Sequence, residues 1–179
     1  MPCVQSDEFG TLNSYLREIK LGNRSIKGEL NTFVWTGAKG KWQEHFFQIM
    51  KDMYPELTRE LFKKMYFLER TWDDFRQDIG LIYRLDNKWK EYDYEETNFY
   101  TTLEDKLNKV VKAQISEIYR LQNDANIILD DSAIRQTIYF FYNTELRCLV
   151  CLKIAEFNSE EPPAINDDEE EDVDGNDNT

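Results

Sequence analysis

Residues with chemical potential are few and scattered. His45 is the only histidine in a chain of 179 residues. It stands three residues from Trp42 and four from Ile49, at the border of an apolar helical face, which assigns it to packing. A lone histidine leaves no Glu-x-x-His pair and no two-histidine metal site. Cys148-Leu-Val-Cys151 has the Cys-x-x-Cys spacing used for zinc and for thiol redox chemistry. Zinc needs two further ligands, and only Cys3 and His45 could supply them. Leu146, Leu149, Val150 and Leu152 surround the pair, so both cysteines read as small buried hydrophobes in mid-helix. Carboxylates abound at Glu69, Asp73, Asp74, Glu91, Asp93, Glu95 and Glu96, yet helix surfaces are commonly rich in them, and no nucleophile, base and orienting group cluster in sequence. The Gly-Ala-Lys-Gly-Lys segment at 37–41 lacks the Gly-Lys-Ser/Thr ending of a phosphate-binding Walker loop. The expectation is a protein that is not an enzyme, with no metal and no cofactor. An enzyme built on the carboxylates of Glu91–Glu96 is the dissenting reading.

The elements that must position these residues read as helices. The apolar residues Leu61, Met65, Leu68, Trp72, Phe75, Ile79 and Ile82 recur at alternating spacings of three and four, which draws one stripe down a long helix from Pro55 to about Leu85. Pro55 suits a first helical position, and Gly80 weakens the last turns by roughly 1 kcal/mol relative to Ala. Ser6–Leu21 predicts another helix, with Phe9, Leu12, Leu16 and Ile19 inward and Gly22 as its stop. Asn23–Lys41 is the least regular part, and Thr32–Trp35 fits either a helical turn or a short strand. Lys41–Met53 predicts an amphipathic helix through Trp42, Phe46, Ile49, Met50 and Met53. Thr97 to about Asn123 predicts a long helix, capped by Thr97 or by a Thr101/Glu104 box. Asp130 to Phe157 predicts the last helix, apolar nearly all round from Leu146 to Ile154 and therefore central. Two strand readings compete: a hairpin over Gly80–Tyr94, and a strand pair at Thr137–Ile154 whose turn no Gly or Pro marks. Short connections favour antiparallel packing, so the predicted class is all-α, an antiparallel bundle of about five helices over residues 1–158.

The net charge is −13, and most of it lies in Glu160–Thr179, where no basic residue occurs. Residues 159–179 are too charged and too poor in apolar groups to join a core, and read as a disordered acidic tail. Such a tail repels a phosphate backbone, which argues against nucleic acid and for protein partners. No apolar run reaches the length of a membrane span, and the N-terminus lacks the pattern of a signal peptide. Three cysteines make no disulfide framework, so a reducing cytoplasmic or nuclear setting is expected.

Lys64-Met-Tyr-Phe-Leu68 followed by Asp73-Asp-Phe-Arg76 resembles the 14-3-3 segment Lys-Val-Phe-Tyr-Leu, a spacer, and Asp-Tyr-Tyr-Arg-Tyr. Phe46 to Pro55 resembles the helix and proline loop before that segment. Gly37-Ala38-Lys39 with Trp42 is similar to the family's Gly-Ala-Arg-Arg and Trp, and Ile134-Arg135 to its Ile-Arg-Leu-Gly. Asn143-Thr-Glu-Leu-Arg147 with Lys153, Ala155 and Phe157 is similar to a later stretch, and the family also carries an acidic tail. The pieces fall in family order over about half the chain. The resemblance implies a helical scaffold whose cationic groove grips phosphoserine or phosphothreonine segments through charge-assisted bonds. Carried over, Arg76 takes the pocket arginine, and Lys39 or Lys41 the second basic position, where Gly40 replaces an arginine. Gln77 replaces the pocket's aromatic hydroxyl, the pocket lysine has no counterpart, and the family's last helix is missing. The resulting expectation is a shortened, 14-3-3-like protein-binding adaptor with a degraded phosphopeptide groove at Lys39, Lys41 and Arg76, acting as a homo- or heterodimer. The alternative is a helical structural or chaperone-like protein whose acidic tail binds basic partners such as histones.

Overall fold

The longest apolar stretch of the chain forms strands, not a helix. In the computed structural model, which describes residues 3–4, 6–37, 40–92, 97–122, 130 and 132–159, Ala133–Asn143 and Cys148–Asn158 pair antiparallel as a hairpin. Both strands are buried on alternate residues of either parity. Tyr139, Phe141, Val150, Leu152 and Ile154 enter one core, and Ile138, Phe140, Tyr142, Leu149 and Cys151 enter another. A strand covered on both faces has no polar alternation to betray it, so a continuous apolar run imitates a central helix. The turn dispenses with glycine and proline. Asn143 Oδ1 accepts the N–H groups of Glu145 and Leu146 at 3.1 and 3.0 Å, its Nδ2 donates to Val111 O at 3.0 Å, and Arg147 adopts φ +50°. An Asn side chain replaces the backbone turn bond.

In chain order the elements are β1 (Cys3–Val4), α1 (Gly10–Leu16), β2 (Ile19–Leu21), β3 (Arg24–Val34), α2 (Trp42–Met53), α3 (Arg59–Lys63), β4 (Tyr66–Arg70), α4 (Trp72–Ile82), α5 (Trp89–Tyr92), α6 (Phe99–Val111), β5 (Glu117–Gln122), β6 (Ala133–Asn143) and β7 (Cys148–Asn158). One seven-stranded sheet has the order β1-β3-β7-β6-β5-β4, with β2 pairing on β3, and all its pairings are antiparallel. Helices α1, α4, α5 and α6 supply the first core, through Leu12, Leu16, Phe75, Ile79, Trp89, Leu103 and Leu107. Helix α2 and residues flanking α3 supply the second, through Phe46, Ile49, Met50 and Leu57. The fold is therefore α+β, and the all-α bundle is overturned.

The corrections have local causes. Helix α2 is where the periodicity places it. The long central helix instead divides into α3, β4 and α4. Its dividing signal is Thr71-Trp-Asp-Asp74: Asp74 N–H donates to Thr71 Oγ1 at 3.1 Å, Thr71 N–H donates to Asp74 Oδ2 at 3.0 Å, and α4 starts there. Residues 6–21 are helical over a 3₁₀ turn at Asp7–Phe9 and over α1 before turning into β2, and the irregular Asn23–Lys41 holds the eleven-residue β3. The helix from Thr97 stops at Lys112, which takes φ +50°. Its cap is Asn98, whose Oδ1 accepts Tyr100 N–H at 2.8 Å, rather than Thr97 or Thr101. Beyond it Ile118 and Leu121 lie on opposite faces of β5, in different cores, and Ile115 is left 70% exposed. Residues 80–92 form the end of α4, a 3₁₀ turn and α5 rather than a hairpin. The acidic stretch 160–179 lies outside the described residues.

Candidate functional site

The structure separates the residues chosen for a phosphate pocket. Lys41 is the N-cap of α2, over the second face of the sheet. Arg76 lies on α4, over the first face, where its Nε donates to Glu104 Oε1 at 2.5 Å and Asp73 is 3.9 Å away. Lys39 lies outside the described residues. Lys41 and Arg76 thus share no groove. Cys148 and Cys151 fare similarly, because a strand sends positions three apart to opposite faces. Cys148 belongs to the first core and Cys151 to the second, both as free thiols. Burial pushes the Cys148 thiol up to about 11 and raises that of Cys151 as well, which makes both poor nucleophiles. His45 packs against Trp35 and Tyr142 with ring centroids 4.6 and 5.7 Å apart, and burial holds its pKa below the usual value. Among the described residues, no group of His, Cys, Asp and Glu is arranged to hold a metal ion. Glu69, Asp73 and Glu91 are exposed, Asp74 is spent on its capping box, and Asp93, Glu95 and Glu96 lie outside the described residues.

What the sheet does bring together is a corner at its β4 end. Thr58 caps α3 by accepting Leu61 N–H at 3.2 Å, and the short helix closes at Lys64. The chain then drops directly into β4, which among the described residues pairs only with β5: Phe67 opposite Leu121, Leu68 opposite Arg120. Alternation sends Phe67 to the second face, where it meets Trp42, Phe46 and Phe62 with centroids 5.7, 5.4 and 5.4 Å apart. Trp42 stacks on Tyr119 at 4.7 Å, so the wall of the corner is aromatic. Burial and the neighbouring Glu117 raise the Tyr119 hydroxyl pKa, and that hydroxyl donates to Glu117 at 2.8 Å.

A groove of about 250 Å³ opens between α2, α3 and β4, with Trp42, Phe62, Met65 and Phe67 along its floor. On its rim Arg59 makes a fork of two bonds to Glu44, at 3.1 and 3.0 Å, and covers the Phe47 ring at 4.3 Å. Those bonds hold the Glu44 carboxyl below the usual range. Lys63 and Lys64 stand exposed at the α3–β4 junction, and among the described residues neither has an ion-pair partner. Leu61 and Tyr66 project into solvent, Tyr66 at 62% exposure.

Behind this corner a polar pin fixes the edge strand. Asp78 Oδ2, on α4, accepts from Arg70 Nη2 on β4, Arg120 Nη1 on β5 and the Tyr139 hydroxyl on β6, each at 3.0 Å. Three neighbouring strands are tied to one helix through one oxygen. Sequence reasoning missed both corner and pin, because it placed Tyr66–Arg70 inside a helix; the Thr71/Asp74 capping box was the available signal.

The class this architecture defines is an α+β protein with one antiparallel sheet clad by helices on both faces. No family model matches the sequence, and no curated protein matches it. Two crystal structures of citrus MAF1 share the fold. The form in space group C 2 2 21 gives a TM-score of 0.71 at 22% identity, covering 84% of this chain and 99% of the citrus chain. The form in P 31 2 1 gives 0.67 at 23% identity, covering 85% and 99%. The fold is thus MAF1-like. This finding overturns the resemblance to 14-3-3 proteins, whose fold is helical, and with it the phosphopeptide-adaptor reading. The alternative of a helical protein presenting its acidic tail to histones falls for the same reason.

Proposed function

We propose that the chain is a non-catalytic protein-recognition module of MAF1-like fold, and that it meets its partners at the α2–α3–β4 corner. The observation that carries this reading is the open aromatic groove beside the outer edge of β4, unpaired among the described residues, rimmed by Lys63 and Lys64 and flanked by the exposed Leu61 and Tyr66. A contiguous apolar surface with a polar rim is characteristic of a docking site. The thiols, by contrast, are sequestered on opposite faces, and Asp78 is committed to three donors. Free cysteines suit a reducing compartment, cytoplasm or nucleus.

The test is site-specific photocrosslinking in the native cell, with a benzoylphenylalanine at Tyr66 on β4 and, as control, at the exposed Tyr92 on α5. The expected result is an adduct of defined mass at position 66 that the Leu61→Asp variant loses. Equal adducts at both positions, or an adduct at 66 unaffected by Leu61→Asp, would overturn the assignment of this surface.

A further inference from the structure

The geometry points to a mode of binding at that corner: we propose that an extended partner segment of alternating apolar and acidic residues adds to the sheet as a strand along the outer edge of β4. The inference rests on the corner being the recognition surface and goes further by naming the class of ligand.

β4 ends the strand order, and among the described residues nothing pairs with its outer edge. In an antiparallel sheet, alternate residues of an edge strand point their N–H and C=O groups outward, ready for another strand. An exposed edge is normally blunted by shortness, charges, bulges, prolines or a covering element, and β4 uses the first two, with five residues ending in Glu69 and Arg70. β4 carries no proline, and its register with β5 runs unbroken from Tyr66–Gln122 to Arg70–Ile118. The pin at Asp78 keeps the edge straight and anchored from behind.

Side chains then set the composition of the ligand. A strand lying outside β4 sends alternate residues to the second face, directly above the floor of Trp42, Phe62, Met65 and Phe67. The groove's 250 Å³ takes one large apolar side chain, or two of modest size. Intervening residues fall on the first-face side, where Tyr66, Leu68 and Arg70 lie. Lys63 and Lys64 sit at the strand's entrance with no carboxylate partner among the described residues. Lys63 and Lys64 are adjacent in a chain of net charge −13, and together they select acidic residues through screened but directional attraction. Strand addition of this kind draws affinity from main-chain bonds and specificity from alternate side-chain pockets. With five residues in β4, the ligand core spans about as many.

The probe is a phage-displayed random peptide library selected against the full chain, followed by synthetic copies of the selected peptides. Expected are sequences alternating apolar and acidic residues, at least tenfold weaker on the Tyr66→Asp variant. They should be several-fold weaker on Lys63→Ala/Lys64→Ala, and weaker as salt rises. N-methylation at alternate peptide residues should abolish binding, while methylation at the intervening ones leaves it. Hydrogen exchange should slow at alternate amides of Tyr66–Arg70 when the peptide binds. Peptides that need Tyr66 yet tolerate N-methylation at both parities would overturn strand addition and leave the corner as the recognition surface. A library yielding no peptide sensitive to Tyr66→Asp would overturn both. If residues 167–174 of this chain, added as a synthetic peptide, displace the selected ones, the occupant is the chain's own tail and the partner assignment falls.

Discussion

Replacing Asp78 by alanine removes the single oxygen that joins Arg70, Arg120 and Tyr139. Three donors lose their acceptor at once, each from a distance of 3.0 Å. Removing one partner of a buried ion pair costs about 3–5 kcal/mol, because the remaining charge is left without compensation. Here the side chains of Arg70 and Arg120 are 23% and 31% exposed, and Asp78 is 18% exposed, so water relieves part of that penalty. A loss of about 2–3 kcal/mol from the arginines remains, with about 1 kcal/mol more for the Tyr139 hydroxyl. Asp78→Asn keeps an acceptor without the charge, and should lose about half as much. A triple replacement by apolar residues of similar volume should sit closer to the native protein than Asp78→Ala does, since no cation is left stranded. Urea unfolding followed by circular dichroism reads these differences, with an unchanged m-value showing that only stability moved. The variant should also speed hydrogen exchange at Tyr66–Arg70 ahead of α6, because the pin holds β4. An Asp78→Ala protein within about 0.5 kcal/mol of the native one would refute the reasoning, since that is the range of an inert surface change.

Three further outcomes follow from the hairpin and the thiols. Arg147 holds φ +50°, so Arg147→Gly should stabilise the β6–β7 hairpin by about 0.5–1 kcal/mol. Asn143→Ala should destabilise it by about 1–3 kcal/mol through the lost acceptor for Glu145 and Leu146 and the lost bond to Val111; chemical denaturation of the two variants decides both signs. Thiol titration at pH 8 should modify Cys3 in the folded protein and reach Cys148 and Cys151 only on unfolding, and no oxidant should join the latter two while the sheet is intact; rapid modification of all three would contradict the opposed placement.

How much of this was legible depends on how each element is solvated. Helix α2 has one wet face, and its periodicity reads correctly from Trp42 to Met53. The buried part of α6 reads correctly too, through Leu103, Leu107 and Val111. Misreading begins where both faces are dry or where two short elements meet in phase. β6 and β7 are wrapped on both sides, so their sequence carries none of the alternation that marks a half-buried strand. Leu61, Met65 and Leu68 run in helical phase into Phe75 and Ile79, although they are spread over α3, the junction after it, β4 and α4. Local spacing cannot register a seam set by tertiary partners such as β5. The resemblance to a helical family rested on these same segments, and it inherited their error.

The edge of the sheet makes the opposite case, and it bears on recognition. A strand at the centre of this sheet is coded by apolar residues on every side, whereas β4 reads Tyr-Phe-Leu-Glu-Arg, with half-buried and exposed positions and only one of them, Phe67, packed against the second core. Such a segment gains too little burial to be a strand by itself and is held by what surrounds it: β5 on one edge, the capping box of α4 behind it, and the Asp78 oxygen beneath. Its outer edge is the one direction in which the described structure supplies nothing. A strand that depends on its neighbours for order, with an aromatic groove and two exposed lysines alongside, gains further from an added neighbour, because pairing satisfies the remaining backbone groups while burying Met65 and Phe67. The weak local code that hid β4 in the sequence and the open edge that suits it to bind a partner therefore have one physical origin.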